Sequence, residues 1–307
     1  MGCDHSHRST PRTDAWSAFV LAGLMLLPSG GCKWASAWKN SSDSMVNSRE
    51  FSQQGLAAIE RQDWAAAEAS FSRAIKTCPL DPDARRYYSE ALWNRGEQKA
   101  ALVQLYEAIR LTPTDPALHL RLAELSLEMG DDATALAETT QVLDLEPTSA
   151  NGWALRGKLM AREGKLTQSL ADFHRALKFE PEHYDALYQL AEVHRALNQP
   201  RRALNALVQL AELYPPGSEP QEVQYLIGLA YLALKQPEDA AESLRNAVRT
   251  GPESADVLCR LAEAELLAGH TMAADQTVRR ALAVTPGHEG SLAVLERVGV
   301  AQQPLRR

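Results

Sequence analysis

Apolar residues fall along the chain in three regimes. From Ala15 to Leu27 they form an uncharged run of 13, from Lys33 to Asn47 they keep no sustained period, and from Ser48 onward they recur at fixed places between evenly spaced breaks. The breaks are carried by proline, which removes a backbone donor and clashes with the preceding turn, ending a helix. In Ala108–Leu118, Pro113 closes one helix and Pro116 opens the next, with Asp115 before it as an N-cap and a ring that pre-sets the first helical φ. Helix-ending prolines stand at Pro79, Pro113, Pro147, Pro181, Pro215, Pro252 and Pro286, at intervals of 34, 34, 34, 34, 37 and 34 residues. Seven units follow, each predicted to be a pair of helices: 48–81, 82–115, 116–149, 150–183, 184–220, 221–254 and 255–288.

Within each unit the same places carry the same physical character. Place 8 is always small: Gly55, Ser89, Ala123, Gly157, Ala191, Gly228 and Ala262. Place 20 holds Ala67, Ala101, Ala135, Ser169, Ala203, Ala240 and Ala274, which lets two helix backbones approach closely. Place 24 supplies a large apolar side chain, Phe71, Leu105, Phe173, Leu207, Leu244 or Val278, with Thr139 as the weak member. Place 15, where the chain must reverse, holds Gly96, Gly130, Gly164, Gly269 and Asn198, suited to a left-handed conformation, with Gln62 and Lys235 as exceptions. Place 4 holds the aromatic Phe51 and Trp153 but also Arg85 and His119, which leaves the packing of the second and third units least defined.

This period, with a small residue at place 8, alanine at 20, a large apolar at 24 and proline at 32, resembles the tetratricopeptide repeat. The resemblance implies an all-α, right-handed superhelical α-solenoid of about seven helix pairs, and Glu289–Gly299 reads as a further amphipathic helix that caps the last apolar face within 289–307. The three extra residues near Tyr214–Val223 are expected to bend or loosen the array between the fifth and sixth units.

The amino terminus adds a second theme. A run of 13 apolar residues is too short to span a bilayer and fits a secretory signal core. Ser29-Gly30-Gly31-Cys32, just after it, resembles the bacterial lipoprotein processing site, which implies removal of residues 1–31, acylation of Cys32 and a flexible tether over 32–47. Ser29 stands where that site usually has leucine. Secretion, an uncleaved anchor and, from Met1-Gly2-Cys3-Asp4-His5-Ser6, N-myristoylation are the alternatives. Trp34 and Trp38, flanked by Lys33 and Lys39, suit a membrane interface or a plain linker equally. The expected location is therefore a membrane of the bacterial cell envelope.

Charge and chemistry narrow the function. With 39 acidic against 32 basic residues the net charge is −7, so attraction to nucleic acid is not expected. Cys3, Cys32, Cys78 and Cys259 show no metal-ligand spacing, and the histidines from His119 to His288 are scattered among the units, read as capping or surface residues. No catalytic motif, metal, cofactor or small-molecule ligand is expected. Tetratricopeptide arrays receive a partner peptide or helix on the groove lined by their first helices, at places 2, 5, 9, 12 and 13. Carried over, the groove residues are Arg86, Glu90, Trp93 and Asn94; Lys158 and Arg162; Asp185, Tyr188, Glu192 and Arg195; and Tyr225. Trp93, Arg162, Tyr188, Arg195 and Tyr225 are the expected anchors, since aromatic and arginine side chains dominate interface energetics. Glu124, Glu128 and Glu263 read as solvated charges, and Cys259 falls at groove place 5. No unit has both the lysine at place 5 and the asparagine at place 9 with which some family members clamp a terminal carboxylate. The implied role is a non-catalytic protein-interaction scaffold that assists assembly of an envelope complex. The alternative is an accessory subunit that positions a polysaccharide-handling enzyme or its glycan at the membrane.

Overall fold

A computed structural model describes residues 31–302, with side chains described from residue 46. Residues 1–30 of the expected signal segment, acylation of Cys32, the myristoylation pattern and the side chains of Trp34 and Trp38 lie outside what it describes. Among the described residues there are fifteen α-helices and no strand. They are α1 (Gly31–Glu60), α2 (Trp64–Thr77), α3 (Pro82–Asn94), α4 (Gln98–Leu111), α5 (Pro116–Glu128), α6 (Asp132–Leu145), α7 (Ala150–Arg162), α8 (Leu166–Phe179), α9 (Tyr184–Ala196), α10 (Pro200–Glu212), α11 (Gln221–Ala233), α12 (Pro237–Thr250), α13 (Ala255–Leu267), α14 (Thr271–Val284) and α15 (Glu289–Ala301). The fold is an all-α solenoid. Helix α1 begins at Gly31 and so runs through the segment expected to be a tether; no proline or glycine interrupts it between Lys33 and Gln54.

Helices form because the punctuation is complete at both ends. Asp81, Asp115, Ser149 and Ser254 cap the first helices of their pairs, and Asp63 and Asp131 cap second helices, each accepting from a backbone N–H one turn in. His183 and His288 cap in the same way through Nδ1, at 3.2 Å from the N–H groups of Ala186 and Ser291. At the seven turns within pairs, the residue at place 15 has positive φ, including Gln62 (57°), Asn198 (54°) and Lys235 (60°). The next N–H closes back onto the carbonyl five residues upstream, as in Glu97 to Leu92 and Gln236 to Tyr231, both 2.9 Å. Gln62 and Lys235 therefore hold a glycine conformation with a Cβ. Lys235→Gly is expected to raise stability by up to about 1 kcal/mol, measured as a higher denaturation midpoint.

Contacts group the chain into two compact units, Met1–Gln104 and Leu105–Arg307. In the first, Ala58, Ala67, Phe71 and Ala91 form the core, and the Phe71 ring stacks on Tyr87 at 5.7 Å. In the second, one cluster extends from Ala154 and Phe173 through Leu187, Leu207 and Leu210 to Val223, Leu226 and Ile227. It crosses the inserted loop without a gap, so the extra residues do not loosen the array there. The reason is local: Tyr184 packs edge-on against Tyr214 at 5.3 Å and donates its hydroxyl to the Leu213 carbonyl, pinning the loop. At the far end α15 lies against α13 and α14 and buries Val294 and Val298, as a cap should.

Places 8 and 24 are one feature. A Cβ on Gly55, Gly157 or Gly228 would stand within 2.5–2.8 Å of Phe71, Phe173 or Leu244 respectively, so each glycine is the socket for its own unit's plug. Both phenylalanines face glycine, whereas Thr139 shares its unit with Ala123 at place 8. Thr139 is fully buried and its hydroxyl is satisfied by the Ala135 carbonyl at 2.7 Å.

Candidate partner-binding groove

The first of the two compact units carries four of the expected groove residues on α3. Arg86 lies over the Tyr87 ring at 4.5 Å and donates to its hydroxyl, Glu90 and Trp93 are half-buried, and exposed Asn94 turns back onto the Glu90 carbonyl. Arg86 and Asn94 are thus partly engaged within their own helix.

The second unit presents a longer face on α5, α7, α9, α11 and α13. Tyr188 and Tyr225 occupy equivalent positions on α9 and α11 and both are half-buried. Tyr188 donates its hydroxyl to Glu222 of the next first helix. Burial, followed by that bond and the Glu222 charge, pushes the Tyr188 phenol above the usual tyrosine range, so it remains a donor at any physiological pH. Beside them, Leu207, Leu226, Leu229, Ala230 and Ala233 line an apolar hollow with Arg195 at its rim.

Ten charged residues stand at groove places on these five helices, and seven hold a side-chain partner within the protein, five of them in carboxylate–guanidinium pairs. Glu124 pairs with Arg121 (3.1 Å), Glu192 with Arg195 (2.8 Å), and Glu263 with Arg260 (2.8 Å) and Arg297 (3.6 Å). Arg162 reaches Asp132 (3.1 Å) and the Leu127 carbonyl, Asp256 meets His288 (3.1 Å), and Glu222 accepts from Tyr188. Glu128, Lys158 and Asp185 make no ion pair or side-chain hydrogen bond among the described residues. All three line one trough across α5, α7 and α9, floored by Leu127, Ala154 and Leu155. Glu128 is exposed and without a partner among the described residues, as a solvated charge is; Glu124 lines the same trough but, like Glu263, is held in a pair.

Two expectations change. Cys259, expected at the groove surface, is buried beneath α15, where a Cβ on Gly290 would sit 3.1 Å from its sulfur. Burial raises its pKa, which keeps it a thiol and a poor nucleophile. His119 and His194, expected at caps or on the surface, are buried. Desolvation holds the His194 imidazole below the usual histidine range, with Arg202 and His174 adding to the effect against an opposing bond to Gln199. A folded pKa below the unfolded value of about 6.5 means that the unfolded chain binds more protons. Stability from this group is present above pH ~6.5 and is lost as pH falls from there toward the folded pKa. His194→Gln is expected to flatten the fall in melting temperature between pH 7 and 5.

His119 also explains the loss of aromatics at place 4. Its Nε2 donates to the Pro113 carbonyl (3.0 Å) while Nδ1 lies 2.6 Å from Glu138. Arg85 donates to the Pro79 carbonyl and to Gln104, and the Trp153 indole donates to the Pro147 carbonyl (2.8 Å). Three different side chains serve one need, a donor for the carbonyl of the helix-ending proline. Next to Trp153, Arg156 grips Asp172 through two bonds of 2.8 and 2.7 Å. Both Arg156 and Arg175 lie over the indole, at 4.4 and 4.5 Å.

Profiles of the tetratricopeptide repeat match residues 52–116, 154–218, 188–253 and 225–289, and a second such profile matches 99–159. The chain is a tetratricopeptide repeat protein. Among solved structures, it is similar to PilF of Pseudomonas aeruginosa at 15% identity and a TM-score of 0.61, covering 70% of this chain and 97% of that one. PilW, a type IV pilus biogenesis factor, aligns at 21% identity and a TM-score of 0.58 over 70% of this chain and 98% of its own. YrrB, a tetratricopeptide repeat protein with an unusual peptide-binding site, aligns at 20% and 0.56 over 62% and 97%. At these identities the likeness is one of fold. No curated sequence matches the chain. Among the described residues of this repeat protein, no group of three His, Cys, Asp or Glu could hold a metal ion, and no helix is long and apolar enough to cross a membrane.

Proposed function

We propose that this protein is a non-catalytic interaction scaffold, tethered to a cell-envelope membrane through Cys32, which receives a peptide or helix of a partner protein on the α5–α13 face and assists assembly of an envelope complex. The carrying observation is that face itself, where half-buried Tyr188 and Tyr225 and the arginines Arg162 and Arg195 stand beside an apolar floor. Tyrosine and arginine in such settings are the side chains that anchor interfaces. The tether draws support from the apolar run Ala15–Leu27 followed by Ser-Gly-Gly-Cys32, and the assembly role from the shared fold with PilW, a pilus biogenesis factor.

The test has two arms. Intact mass and membrane fractionation of the protein beside Cys32→Ala should show loss of residues 1–31 with added acyl mass, and release of the variant; a soluble chain that retains Gly2 would overturn the tether. Affinity capture from a detergent-solubilised envelope fraction should enrich a protein that is lost with Arg162→Glu plus Tyr188→Ala, at unchanged helical circular dichroism. Equal recovery by that variant would remove the groove from the reading.

A further inference from the structure

The groove's charges are distributed in a way that says more about its occupant. Along α5–α13, Glu124, Glu192 and Glu263 at groove places are paired with arginines three residues away on the same helix, Glu222 accepts from Tyr188 of the preceding first helix and Asp256 meets His288, so most charges on this face already hold a side-chain partner. The exception is the trough across α5, α7 and α9. There Glu128, Lys158 and Asp185 stand on three successive first helices, alternating in sign, unpaired, over Leu127, Ala154 and Leu155.

Unpaired charges above an apolar floor are the part of a surface that a partner can complement, and complementarity of this kind governs register and rejection of wrong partners more than bulk affinity. We infer that this trough fixes the register of the bound partner segment, and that the segment presents a cation to Glu128, an anion to Lys158 and a cation to Asp185, with apolar side chains between them. The inference rests on the groove reading above and names the chemical class of its partner. A uniformly acidic segment would meet two unpaired carboxylates, with the paired Glu124 beside them, and one ammonium, and a uniformly basic one would set a cation against Lys158.

The probe is a set of fluorescein-labelled peptides in which Arg, Glu and Arg are separated by one to four apolar residues, beside the charge-inverted set Glu, Arg, Glu. Fluorescence anisotropy with the full-length protein at low salt should find one Arg-Glu-Arg spacing that binds at least tenfold more tightly than its inverted counterpart. The difference should shrink in 0.5 M salt, where exposed charges are screened. In the variant Glu128→Lys, Lys158→Glu, Asp185→Lys the preference should invert. Binding with no preference between the sets, a preference that the variant does not invert, or no binding by either set would overturn the inference. So would dimerisation abolished by the same variant, which would assign the trough to a second copy. Partner capture that is lost with Arg162→Glu plus Tyr188→Ala but kept in the charge-inverted variant would overturn the register code alone and leave the groove reading standing.

Discussion

Replacing Phe173 by alanine is expected to cost about 3–5 kcal/mol, the largest single loss in the second compact unit. Its ring is fully buried, faces Gly157 and lies in the cluster that carries the core from Ala154 to Ile227. The cost has two parts, lost transfer of the ring from water and the hole left between α7 and α8. The socket makes a sharper prediction about shape. In Gly157→Ala the new methyl would stand 2.8 Å from the ring, closer than packed carbons tolerate, and overpacking of this order costs about 1–3 kcal/mol. Pairing Gly157→Ala with Phe173→Leu should lose clearly less than the two single changes added together, because the smaller plug vacates the space that the methyl needs. Denaturation midpoints of the four proteins measure the coupling, and hydrogen exchange should place the loss in α7, α8 and their neighbours, since a repeat array transmits stability mainly between adjacent units. Additive losses would show that the glycine is required for backbone approach and that the plug is independent of it.

How much of this was legible without coordinates depends on what each residue's role requires. Prolines, N-caps and the small places could be read because each answers a constraint within one unit of chain. The left-handed turns at Gln62 and Lys235 were not legible from residue type, since both hold a conformation that the rest of the turn imposes on them. Place 4 is degenerate by residue type because in three units, at Arg85, His119 and Trp153, it supplies a hydrogen-bond donor to a proline carbonyl with different shapes, whereas Phe51, Leu187 and Leu258 there have no side-chain donor. In the groove, places could be assigned but the pairing state of each charge could not. A signal was nonetheless present: Arg121, Arg195 and Arg260 each stand three residues from a groove glutamate, spacing that puts the two side chains on one helix face. Glu128, Lys158 and Asp185 lack such a neighbour among the pairs formed. The burial of Cys259 depended on where α15 packs, which no local pattern carries.

Arg156→Met is expected to be the second severe substitution, costing about 3 kcal/mol, although Arg156 itself is partly exposed. The reason lies in its partner. The Asp172 side chain is only 4% exposed, and Arg156 supplies both of its short bonds, with Arg175 at 3.4 Å as a weaker second cation. Removing one member of a buried pair strands the other, and the stranded charge, more than the lost attraction, sets the penalty. Two further variants separate these effects. Arg156→Lys should recover only part of the loss, because an ammonium can neither form the twin bonds nor lie flat over the Trp153 indole. Arg156→Met combined with Asp172→Leu should recover most of it, since no charge is then left buried. If instead the double variant were as unstable as Arg156→Met alone, the stabilising element would be the guanidinium stacked on Trp153. That ring hangs on the Pro147 carbonyl and so ties the start of α7 to the end of the preceding helix pair.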